Sequence, residues 1–65
     1  MPYWFKHKYD FHGNHRGRVV ISASSAKEAN EKMELIEGEL NYSWRLGRKI
    51  HGPYATEEKA KTSLL

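Results

Sequence analysis

Aromatic side chains recur at alternate positions from Tyr3 to Phe11, and a period of two points to an extended strand. Tyr3, Phe5, Tyr9 and Phe11 share one face with His7, while Trp4, Lys6, Lys8 and Asp10 share the other. Residues 12–17, His-Gly-Asn-His-Arg-Gly, carry turn chemistry, because Gly13, Asn14 and Gly17 tolerate a positive φ cheaply. Residues 18–24 alternate again, now in β-branched side chains, with Val19, Ile21 and Ala23 facing one way. Strands over 3–11 and 18–24 therefore form an antiparallel hairpin. Opposed residues share a face, so the predicted register pairs Tyr9 with Val19 and Phe5 with Ala23. That register leaves 12–16 as the loop and sets Asp10 opposite Arg18.

A helix over 25–40 follows. Ser25 and Glu28 have the spacing of a capping box, in which each side chain satisfies a free amide of the first turn. Ala26, Ala29, Met33, Ile36 and Leu40 then recur at helical spacing as one apolar stripe, with Gly38 or Asn41 as the stop. Residues 42–51 read as a third strand: Tyr42, Trp44, Leu46 and Ile50 share one parity, and Arg45, Lys49 and His51 the other. Gly47 suggests a bulge in that strand, and Gly52-Pro53 ends it. Thr56 heads a short helix through about Leu64, or the segment is a tail. One helical stripe and one apolar sheet face bury against each other. The expected fold is a single α+β domain over 1–65, a three-stranded antiparallel sheet with one main helix on one face, in the order ββαβ.

Composition narrows what such a fold does. At 65 residues without cysteine, the chain has neither a disulfide nor a thiolate zinc site to support a small core. No apolar run is long enough to span a bilayer, and Met1-Pro2-Tyr3-Trp4-Phe5 lacks the character of a secretory leader, so a cytoplasmic protein without a membrane partner is expected. The net charge of +3 is unevenly spread. Residues 25–40 set Lys27 and Lys32 against five glutamates, while the rest carries nine Lys or Arg against Asp10, Glu57 and Glu58. An acidic helix is thus opposed to a basic remainder.

In the predicted register the sheet face away from the helix presents Trp4, Lys6, Lys8, Arg18, Val20, Ser22, Arg45, Lys49 and His51. Lysines and arginines with an exposed aromatic suit a phosphate backbone and unpaired bases. A one-sided sheet must also show water something polar, and strand lysines discourage edge pairing, so such a face has a purely structural explanation too. Read for function, Lys6, Lys8, Arg18, Arg45 and Lys49 contact phosphates, Trp4 stacks, and Arg16 reaches from the hairpin tip. His12 and His15, with His7 or Asp10 nearby, resemble a metal-ligand pair, but a cysteine-free flexible loop falls short of three or four supported ligands. No metal or cofactor is expected. Asp10 is the one aspartate, and no nucleophile elbow, glycine-rich phosphate loop or paired-carboxylate spacing occurs, which argues against an enzyme.

The layout resembles small binding proteins of phages and mobile elements: a strand pair running into "ISASSAKEAN", a helix, then a strand with aromatic and basic residues. It is similar in plan to phage-encoded inhibitors of host RNA polymerase and to some anti-CRISPR proteins. The similarity covers element order over about residues 3–51, and no functional residue carries over. The polymerase inhibitor is acidic where this chain is basic. The resemblance implies a non-enzymatic binder that occupies a surface of a host protein or nucleoprotein complex, in the bacterial host's cytoplasm. Nucleic acid and a host protein are therefore the two expected partners, and a homodimer through strand edges is compatible with either.

Overall fold

The computed structural model describes residues 1–39 and 43–65. Two strands come first, β1 (Tyr3–Asp10) and β2 (His15–Ser22), then the helix α1 (Ala26–Glu39). Two short strands, β3 (Trp44–Leu46) and β4 (His51–Tyr54), and a second helix, α2 (Glu57–Thr62), complete the α+β fold. The strand β1 is central: it pairs antiparallel with β2 on one side and with β3 and β4 on the other. No helix among the described residues is long and apolar enough to cross a membrane. The helix stop expected at Asn41 and the strand start expected at Tyr42 lie outside the described residues.

The expected third strand is two strands. The segment between them breaks the ladder at Gly47, whose amide donates to the His7 carbonyl at 2.8 Å. A side chain at that glycine would meet the Tyr9 ring. Gly52-Pro53 does not end the strand but lies inside β4, with Gly52 at φ +144°.

The hairpin register also differs, and the difference exchanges a face. Trp4 opposes Ile21, Phe5 opposes Val20, Lys6 opposes Val19 and His7 opposes Arg18. The turn is tighter than expected. Asp10 and Asn14 bond backbone to backbone, Gly13 donates to the Asp10 carbonyl, and the Asp10 carboxylate takes the amides of His12 and Asn14. Only residues 11–14 are left as loop, so β2 begins at His15. Beside the turn Tyr9 opposes His15 instead of Val19, an even shift. The irregularity between His7 and Tyr9, with Gly17 on the facing strand at φ +110°, takes one residue off that shift and makes it odd over Tyr3–His7. The odd offset reverses the parity of β1 relative to β2 there. Asp10 accordingly pairs with Arg16 rather than Arg18.

Ile21 and Ala23 face α1 as predicted, but their β1 partner is Trp4. Trp4, Ala23 and Ala29 are buried together, with Ile21 and Ile50 packed against them, and the Trp4 indole donates to the Ala23 carbonyl at 2.9 Å. Phe5 points to the opposite face and is fully buried. It lies against His51 and Tyr54, with the Arg18 guanidinium 4.0 Å from its ring centre. The helix α2 packs against β1, β2 and β4 and covers this face. Ala60 is buried, and Arg18 donates to the carbonyls of Ala60 and Ser63. The sheet is therefore a middle layer between two helices, and the uncovered basic face predicted from sequence is absent among the described residues.

Both helix starts follow sequence rules. Ser25 Oγ accepts from the Glu28 amide, and the Glu28 carboxylate accepts from the Ser24 amide and hydroxyl, one residue earlier than a capping box predicts. The Ser24 hydroxyl, followed by Lys32, holds the Glu28 carboxyl below its ordinary range. Thr56 caps α2 through Oγ1, which accepts from the Lys59 amide.

Candidate nucleic-acid interface

Seven side chains carried the expected interface, and the fold disperses them. Trp4 is buried in the α1-facing core and cannot stack on a base. Lys6 is half-buried opposite Val19, on the α1 side of the sheet. Arg18 is on the other side, its guanidinium used on two α2-segment carbonyls. Lys49 is exposed in the stretch between β3 and β4. These four do not converge, because the register change placed Trp4 and Lys6 on one face and Arg18 on the reverse.

Lys8, Arg16 and Arg45 lie at one end of the sheet, where β1 stops and β2 and β3 begin, though not on one face. The β1–β3 register sets Tyr9 opposite Arg45 and Asp10 opposite Trp44. Lys8 Nζ stands 4.7 Å from the Trp44 ring centre, a cation held over an aromatic face. Arg45 is exposed on the other face of the same strand. Arg16 bonds Asp10 Oδ2 through Nε at 2.9 Å while its side chain stays 54% exposed. Phe11, at the start of the turn, is 74% exposed and meets the His12 ring edge-on. Sequence parity had turned Phe11 inward. The signal against that was its position next to His12-Gly13-Asn14, since a residue at the mouth of a tight turn has no sheet face to join.

Asp10 organises this end. Its carboxyl is lowered to about 2, first by the Asn14 amide and then, against the opposing effect of burial, by Arg16, the Asn14 side chain and the His12 amide. The folded value lies below the ordinary 3.8. The carboxylate's contribution is therefore whole above the ordinary value and is lost as pH falls toward the folded one. Asp10→Ala should lower the thermal midpoint at pH 7, and the gap to the parent chain should close as melts are repeated down to about pH 2. A gap that is constant with pH would mean that the turn does not depend on the ionised carboxylate.

This end of the sheet offers Lys8 and Arg45 on its two faces and Arg16 at the Asp10 carboxylate for phosphate oxygens, with the exposed Phe11 ring at the turn for base stacking. A second carboxylate lies against β3, where Glu37 Oε2 accepts from the Leu46 amide at 2.7 Å. Comparison with protein-family models, curated proteins and solved structures finds no match for this chain.

Proposed function

We propose that this chain is a small non-enzymatic binding protein that contacts nucleic acid through the end of its sheet rather than through a sheet face. The observation that carries the reading is Phe11, a 74% exposed ring at the turn that follows β1, at the end of the sheet where Asp10 holds Arg16 and Lys8 stands over Trp44. Exposed arginines and lysines alone describe any solvated surface. An exposed aromatic ring at the same end of the sheet adds a flat surface on which an unpaired base can stack. Single strands fit better than duplex, because the surface is narrow and its aromatics need unstacked bases.

Fluorescence anisotropy with labelled single-stranded and duplex oligonucleotides tests this. Affinity for single strands should fall with salt with a logarithmic slope of about −2, the value for three phosphate contacts. Arg45→Ala should weaken binding and reduce that slope, Phe11→Ala should weaken binding with the slope unchanged, and Lys49→Ala should do neither. Undetectable binding at low salt overturns the reading.

A second reading, a blocking protein that docks on a host machine, has one observation in its favour. Leu35 is 72% exposed on α1, between Glu31 and Glu39 at four-residue spacing. An apolar residue on an acidic helix face suits a basic protein surface. Capture of a stoichiometric protein partner after nuclease treatment, lost in Leu35→Lys, would favour this reading over the first.

A further inference from the structure

Three histidines meet on the α2-facing side of the sheet, and they are not the pair that sequence spacing selects. His12 turns to Phe11, whereas His15 turns to His7. His7 Nδ1 and His15 Nε2 are 2.9 Å apart, and His7 Nε2 lies 2.9 Å from the Leu65 main-chain oxygen. The Leu65 main-chain oxygen only accepts, so His7 carries a hydrogen on Nε2, and in the neutral imidazole the Nδ1 lone pair then faces His15. An imidazole whose second nitrogen donates to a backbone carbonyl is oriented as metal-ligating histidines generally are.

We propose that His7 and His15 form a two-histidine site for a first-row divalent ion that favours imidazole, such as Zn2+, Ni2+ or Cu2+. In the metal-free chain His15 Nε2–H donates to His7 Nδ1. To bind, His15 moves that hydrogen to its own Nδ1, so two neutral nitrogens face the ion and no net proton is released. Metal–nitrogen bonds of about 2.0–2.1 Å at a tetrahedral angle separate the two nitrogens by roughly 3.3 Å. The rings therefore part by a few tenths of an ångström, and His15, exposed at the start of β2, has room to do so.

The surroundings set the character of the site. The Phe5 ring and the His51 ring both meet His7 edge to face, and the Tyr9 ring meets His15. His51 lies flat on Phe5, and burial, then His7, Lys49 and Arg18, push its pKa down. Among the described residues no group of three His, Asp or Glu side chains is arranged around an ion, so the remaining positions belong to water or a small anion. Arg18 and Lys49 are the nearby fixed cations. They weaken the hold on a bare dication and favour one that carries an anion.

The test is a titration of the full chain with Zn2+ alone, followed through the imidazole 15N resonances. His7 Nδ1 and His15 Nε2 should shift together and saturate near one equivalent, with His12 unmoved. His15→Ala should weaken binding by more than about tenfold, the loss that even an outer-contact substitution can cause. His12→Ala should leave it unchanged. Because His15 is exposed, its removal reads the site without endangering the fold, and His7→Ala serves as the confirming variant. Absence of any shift up to about 1 mM Zn2+, a concentration that corresponds to only about 4 kcal/mol of binding, overturns the proposal. Shifts that require His12 and survive loss of His15 overturn it as well. Neither result bears on oligonucleotide binding, which does not use this pair.

Discussion

Trp4→Ala should leave most of the chain unfolded at 25 °C. The side chain is 7% exposed, and it fills the space between the sheet and α1 together with Ala23 and Ala29, whose small size leaves the indole as the bulk of that cluster. Truncating a buried tryptophan to alanine costs about 3–5 kcal/mol. A domain of this size without disulfide or metal support has a total stability of roughly 3–5 kcal/mol, so the loss and the reserve are of the same magnitude. Trp4→Phe separates the two parts of the effect. It keeps most of the apolar volume but removes the indole N–H from the buried Ala23 carbonyl. Leaving such an acceptor unpaired costs about 1–3 kcal/mol, so this variant should fold with a lower urea midpoint. If Trp4 instead stood on an exposed face to stack on bases, as strand parity first suggests, Trp4→Ala would leave the urea midpoint unchanged and impair oligonucleotide binding alone. The two outcomes exclude each other.

That contrast shows which parts of this fold the sequence makes legible. Local rules served wherever one residue's chemistry decides the outcome. The Ser25 and Glu28 spacing starts α1, Thr56 starts α2, and alternation identifies β1 and β2. The facing of β1 was not legible, because parity counts four aromatics on one side against a lone tryptophan on the other. The sheet is covered on both faces, so each parity is buried and the count has no force. Six residues of α2, with Ala60 as the buried contact, suffice to roof Phe5. Nothing in Glu57–Thr62 advertises that role, since the carbonyls that Arg18 engages are backbone atoms common to every residue. The candidate interface suffered the same way. Lys8, Arg16 and Arg45 reach the same end of the sheet through strand ends and a turn, and turn length is set by hydrogen bonds of Asp10 that spacing alone does not reveal.

Gly52→Ala should be nearly as damaging, through the backbone as well as the core. Gly52 has φ +144°, a conformation that side-chain-bearing residues rarely adopt. A methyl group built there would lie 2.8 Å from Trp4 Cε3 and 3.0 Å from both Trp4 Cδ2 and the Tyr3 carbonyl oxygen. The first two contacts press on a ring already held between α1 and the sheet, and the third presses on the backbone of the central strand. Holding a non-glycine residue in such a region costs about 1–3 kcal/mol. Forcing an extra methyl into a packed core adds about 1–3 kcal/mol more. The sum reaches the whole reserve of the domain, so the variant should fold partly or not at all at 25 °C. A double-mutant cycle with Trp4→Phe apportions the effect. The closest contact, with indole Cε3, is relieved when the smaller ring replaces it, while the φ cost and the contact with the Tyr3 carbonyl persist. In the Trp4→Phe background, then, Gly52→Ala should cost less than in the parent chain but should still be destabilising. Full additivity would mean that the indole does not lie over β4 at Gly52, and with that the packing of Trp4 against the sheet edge would be wrong.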